Sequence, residues 1–119
     1  MFNYSFNFQP NTITYIGGYR CSGKKTFIQN KLYNDIKEII SNVVFITNNN
    51  NIELNISYTK AEIKDFDTII DSYKYEYTTN NTNSLIIIDG NNYKIQLCDV
   101  EKLNDLKNYG ISLIIFEEI

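Results

Sequence analysis

The tightest constraint on this chain is a junction between two periodicities. The short β-branched and aromatic run TITYIG (12–17) passes through glycines and enters a segment, Lys24 to Ile40, whose apolar residues Ile28, Leu32, Ile36, Ile39 and Ile40 fall at helical spacing. Strand and helix signals then keep alternating. VVFIT (43–47) is an apolar run of buried-strand type, and NNNN (48–51) a polar loop. NIELNIS (51–57) adds a small strand, and Ile63, Phe66, Ile70, Tyr73 and Tyr77 line one side of a second helix. SLIIIDG (84–90) is the strongest buried strand. Leu97, Val100, Leu103 and Leu106 mark a third helix, with Asp99 as its N-cap and Gly110 as its stop, before the aliphatic strand ISLIIF (111–116). Alternation of this kind predicts an α/β fold with a mainly parallel sheet. The Ile-rich strands agree, because strands covered on both faces need no polar alternation. Ahead of this core (12–119), Phe2, Tyr4, Phe6 and Phe8 alternate as an N-terminal edge strand within residues 1–11, ended by Pro10.

Ligands of such sheets bind at the carboxyl ends of the strands, which here hold Gly17–Lys25, Thr47, Asp89 and Glu117. The first of these carries GxxxxGK: Gly18, Tyr19, Arg20, Cys21, Ser22, Gly23, Lys24. Glycines let backbone N–H groups turn toward phosphate oxygens, and the helix N-terminus behind them favours the anion. The lysine of this Walker A pattern reaches the β- and γ-phosphates of ATP or GTP, and the hydroxyl after it coordinates Mg2+. That hydroxyl position is Lys25, and Thr26 comes one residue late. The pattern arises by chance in roughly one or two of a hundred chains of this composition, so its place between a strand and a helix carries more weight than the match itself.

The second element is Asp89, at the end of SLIIID, where nucleotide hydrolases hold magnesium through water. The adjacent carboxylate that would polarise the attacking water is absent, since the next residue is Gly90. LIIFEEI (113–119) also ends a strand with acids. Asp89 is the better metal-side residue because a helix and a further strand follow it, which leaves Glu117 at the position of a polar γ-phosphate sensor. A carboxylate there repels phosphate unless a metal lies between them. Two solvated acids, Glu117 and Glu118, are an equally good account of that end.

Composition narrows the chemistry. The 119 residues suffice for one domain with a modest core. With no histidine, His-based acid–base catalysis and His-ligated metals are excluded, and a net charge of −3 with scattered cations argues against a broad nucleic-acid face. Cys21 and Cys98 lack zinc-site spacing. No apolar run reaches membrane-span length and no signal peptide opens the chain, so an intracellular, reducing, cytoplasmic setting is expected. The bias toward Ile, Asn, Lys and Tyr points to an AT-rich genome.

The run ITYIGGYRCSGKKTFIQNKL, then NVVFIT, SLIIIDG and LNDLKNYGISLIIF, resembles the poxvirus-type genome-packaging ATPases of large DNA viruses, which belong to the additional-strand group of P-loop NTPases. The similarity spans roughly residues 12–116. It implies a three-layer αβα sandwich in which the strand ending at Phe116 lies between the loop strand and the SLIIID strand. It also implies a viral protein with ATP as ligand, Gly18, Gly23 and Lys24 around phosphate, Asp89 beside Mg2+, and descent from a DNA-packaging motor. The chain departs from that pattern at Lys25, at bulky Tyr19, Arg20 and Cys21, at Gly90 and at Glu117. The last strands and the trans-acting arginine segment of such motors have no counterpart in it. Charge clamps and orienting groups of this kind carry most of phosphoryl-transfer catalysis, so little turnover is expected.

Three functions compete. One is a degenerate nucleotide-binding pseudo-ATPase, in which Lys25 places a second positive charge where magnesium would otherwise sit. Another is a structural or interaction protein that keeps the fold without nucleotide. The third is an ATPase active only as a homo-oligomer or with a viral protein partner, touching DNA only indirectly. A small-molecule kinase fits poorly, since Arg20 is the only arginine, and thiol chemistry at Cys21 has no base nearby in sequence.

Overall fold

The computed structural model describes residues 8–18, 26–47, 56–89 and 104–118. Among them five strands form one sheet: β1 (Ile13–Gly18), β2 (Asn42–Ile46), β3 (Thr59–Ala61), β4 (Ser84–Asp89) and β5 (Ile111–Glu118). Their order is β1-β5-β4-β2-β3 and every pairing is parallel. The strand ending the sequence thus runs between the glycine strand and SLIIID, as the resemblance implied.

Among the described residues two helices cover the sheet. The first, α1 (27–36), opens as a π-helical turn, Phe27–Leu32, and continues as an α-helical turn, Tyr33–Ile36. The Tyr33 N–H donates to the carbonyls of Asn30 and Ile28, the second an i−5 bond that widens the helix. The second, α2 (Phe66–Asn80), follows a 3₁₀ turn (Ile63–Asp65) and ends at Asn81 in the left-handed region, whose N–H donates to the Tyr77 carbonyl at 2.8 Å.

Alternation along the strands sends side chains to opposite faces, and each face finds its own helix. Phe27, Ile28, Leu32 and Ile36 of α1 pack with Phe45, Leu85, Ile87, Ile114 and Phe116. On the other face Ile70 of α2 and Leu106 pack with Val44, Ile46, Ile86, Ile88, Leu113 and Ile115. The result is a three-layer αβα sandwich. All six residues of β4 are buried, and each of its aliphatics contributes roughly 1.5–3 kcal/mol on burial.

Several expectations shift. Phe8 is buried in the α1-side core, but residues 8–11 form no strand, and Pro10 and Asn11 make a turn; residues 2–7 lie outside the described set. Of the small strand expected at 51–57, residues 56 and 57 form a bend and 51–55 lie outside the described residues, while a short strand not expected from the sequence runs at Thr59–Ala61. Of the third helix, only 104–106 and the 3₁₀ turn Lys107–Tyr109 are described, so Asp99 lies outside; Gly110 does stop it, at φ 65°.

That last turn is tied to α2. Lys74 Nζ lies 2.9 Å from Asp105 Oδ2 and 4.9 Å from the centre of the Tyr109 ring, which also meets Tyr77 edge-on at 6.5 Å. The hydrogen bond from Lys74 holds the Asp105 carboxyl below its ordinary value of 3.8, aided by the lysine's charge and a hydrogen bond from Asn108, and opposed by desolvation. A carboxylate depressed in the folded state stabilises the fold above its unfolded pKa, and that contribution disappears as pH falls through the folded one. Unfolding titrations below about pH 4 should therefore show a component of acid destabilisation in the wild type that Asp105→Asn lacks.

Candidate functional site

The strand ends converge on one side of the sheet. Gly17 and Gly18 of β1 are paired in register with Glu117 and Glu118 of β5, and Asp89 at the end of β4 is paired with Phe116. Asp89 continues the row of Leu85 and Ile87, so it belongs to the face covered by α1. Its neighbour Phe116 meets the ring of Phe27 edge-on at 6.1 Å. Phe27 is the first residue of the π-helical turn, directly after Thr26. Asp89 therefore ends its strand one position across the sheet from the residue that anchors the start of α1.

Asp89 is 1% exposed and Thr47, immediately after β2, is 3% exposed. The Thr47 hydroxyl donates to Asp89 Oδ2 at 3.2 Å, and both residues make further interactions as well. The register explains the meeting: Ile46 faces Ile88 across β2 and β4, so the next residue on each strand is Thr47 and Asp89. A buried carboxylate needs such donors, because an unsatisfied charge away from water is costly.

Of the expected phosphate-binding residues, Gly18 closes β1 and Thr26 opens the helical run, exposed and in right-handed helical conformation. Tyr19, Arg20, Cys21, Ser22, Gly23, Lys24 and Lys25 lie outside the described residues, as does Gly90. Glu117 is placed by its backbone, alongside Gly17. Thr47 was legible only as a strand end; the signal that pairs it with Asp89 is the polar residue closing an otherwise apolar VVFIT run beside a run that closes in an acid.

No protein-family model matches the chain, and no curated protein matches it in sequence. Among solved structures, it is similar to the DNA-packaging ATPase of Sulfolobus turreted icosahedral virus, with a TM-score of 0.65 and 19% identity over 92% of this chain. The two share an α/β fold, here a five-stranded parallel sheet between helices. The match covers 66% of the viral protein's length, so this chain spans less than two thirds of that one.

Whether the end of β4 suits a metal turns on its donor set. Among the described residues no group of three or more acidic, Cys or His side chains could cage an ion. A single buried carboxylate with a hydroxyl beside it suits Mg2+ all the same. That ion keeps most of its waters and binds through one or two carboxylates together with substrate phosphates. Asp89 would be the residue to hold such an ion, and the chemistry the ion would supply is neutralisation of phosphate charge. Among the described residues no helix is long and apolar enough to cross a membrane.

Proposed function

We propose that the chain is a degenerate P-loop NTPase-like domain, related to viral DNA-packaging ATPases, that binds the phosphates of ATP or GTP with weak or no hydrolysis. The observation that carries this reading is the buried Asp89 at the end of β4, on the α1 face of the sheet and one strand removed from β1, the strand that leads into GxxxxGK. The fold and its viral packaging neighbour support it.

The roles follow from the residues. Loop amides between Gly18 and Gly23 hold phosphate oxygens, Lys24 pairs with the outer phosphates, and Asp89 takes the metal side. Tyr19, Arg20, Cys21, Ser22, Lys25 and Thr26 complete the loop's wall. Hydrolysis is weak because Gly90 offers no carboxylate to orient a water, and Lys25 offers no hydroxyl to the metal. Glu117, in the sensor position, reads phosphate only through an intervening cation. As in motors of this class, further copies of the chain or another viral protein are the natural partners, in host cytoplasm or virion.

Calorimetric titration of the protein with ATP, with and without Mg2+, tests the reading. Saturable micromolar binding is expected. Ligand at a hundred times its Kd should add about 2.7 kcal/mol to folding stability, readable as a rise in melting temperature. No heat and no thermal shift under any condition would overturn it in favour of a fold that binds no nucleotide.

A further inference from the structure

We infer that Thr47 is the residue that positions Asp89 for magnesium, so that metal-assisted nucleotide binding depends on a hydroxyl at the end of β2. This assignment rests on the nucleotide-binding reading above and names a residue outside both the GxxxxGK loop and the β4 acid.

Three observations lead to it. Thr47 donates to one specific oxygen of Asp89, Oδ2, at 3.2 Å. Both side chains are almost fully buried, at 3% and 1% exposure, so the bond is shielded from competing bulk water. The two residues sit at equivalent positions, one step beyond the last β2–β4 pair, Ile46 and Ile88. The contact is thereby built on the rigid centre of the sheet, where β4 is flanked on both sides.

The physical consequence is directional. A carboxylate side chain turns about two bonds, and a metal or its bound water needs an oxygen at a fixed place. A hydroxyl donating to Oδ2 restrains that rotation and so helps set where the carboxylate oxygens lie. Hydrogen-bond partners that orient a metal-side ligand typically set metal affinity by roughly 10–100-fold, without touching the nucleotide.

The experiment measures the ratio of ATP dissociation constants without and with Mg2+, by calorimetry, in wild type, Thr47→Val, Thr47→Ser and Asp89→Asn. Bound Mn2+, counted by electron spin resonance in the presence of ATP, gives an independent readout. Thr47→Val preserves shape and removes the hydroxyl. It should leave metal-free ATP affinity within about twofold while reducing the metal-dependent gain about tenfold. Thr47→Ser should restore most of that gain, and Asp89→Asn should abolish it. An unchanged metal-dependent gain in Thr47→Val overturns the assignment and leaves nucleotide binding standing, as does wild-type ATP binding that ignores Mg2+. Loss of affinity in Thr47→Val equally with and without metal, together with a lower melting temperature, also overturns it, in favour of a role in folding. A wild type that binds no ATP removes both the nucleotide-binding reading and this assignment.

Discussion

Lys24→Ala should weaken ATP binding by at least about 100-fold, with the melting temperature of the nucleotide-free protein unchanged. The lysine of GxxxxGK is the one side chain of that pattern whose charge meets the outer phosphates directly. A hydrogen bond to a charged group contributes about 1.5–3 kcal/mol, and a 100-fold loss corresponds to about 2.7 kcal/mol. The effect should be larger here than in a fully equipped P-loop protein, because this chain lacks the hydroxyl after the lysine and the second acid after Asp89. With fewer groups sharing the phosphate charge, each that remains carries more of the binding. Lys25 sharpens the test. If it has taken over the electrostatic role of magnesium, Lys25→Ala lowers affinity in metal-free buffer and leaves the Mg2+ complex less affected. Calorimetry on the two variants, with and without metal, separates these roles, and undiminished affinity in Lys24→Ala would sink the phosphate-loop reading.

Much of the fold was readable because its signals were redundant. SLIIID and ISLIIF are unbroken aliphatic runs, and only interior strands of a sheet covered on both faces tolerate them; they became the two adjacent strands β4 and β5, flanked on both sides. The second helix was readable from Ile63, Phe66, Ile70, Tyr73 and Tyr77, and a helix runs through Phe66–Asn80. The first helix was read over 24–40, but among the described residues it ends at Ile36, with Ile39 in a turn and Ile40 beyond it, and its opening is π-helical. Ile28, Leu32 and Ile36 recur every four residues, a spacing that suits an α-helix and a wider π turn alike, so nothing local announces that Phe27–Leu32 is π-helical. The third strand, Thr59–Ala61, was not read because NIELNIS alternates more strongly than TKA. What makes TKA a strand is edge pairing with Val44, Phe45 and Ile46, a tertiary contact with little local signature. For the site, Asp89 was readable because it ends a buried run. Thr47 acquires its meaning only from the β2–β4 register, which composition and periodicity do not encode. Gly110 was marked as a helix stop, but the depth of its constraint emerges only from what surrounds it.

Gly110→Ala should cost roughly 2–5 kcal/mol of folding stability and lower the melting temperature by roughly 10–20 °C. Gly110 sits at φ 65°, ψ 23°, between the 3₁₀ turn Lys107–Tyr109 and β5. An L side chain in the left-handed region costs roughly 1–2 kcal/mol. Space adds a second cost, since a Cβ there would lie 2.6 Å from Asn83 Oδ1 and 2.6 Å from Tyr77 Cδ2. The Tyr77 ring gives way least easily, because it packs edge-on against Tyr109. The Asn83 main chain is held by the Ser41 N–H, which donates to its backbone carbonyl at 2.9 Å, so only its side chain can turn aside. Moving the backbone instead would loosen the bond from the Ser84 N–H to the Gly110 carbonyl, 3.0 Å, where β4 begins. Crowding of this kind costs roughly 1–3 kcal/mol. Gly110→Asn separates the two contributions, because asparagine tolerates the left-handed region yet carries the same Cβ. If thermal unfolding places both variants equally far below wild type, collision with Asn83 and Tyr77 dominates; a clearly milder asparagine variant assigns the larger share to backbone strain. An alanine variant melting within about 2 °C of wild type would mean that this turn relaxes freely, against the view that α2 and the turn before β5 are locked together at Tyr77.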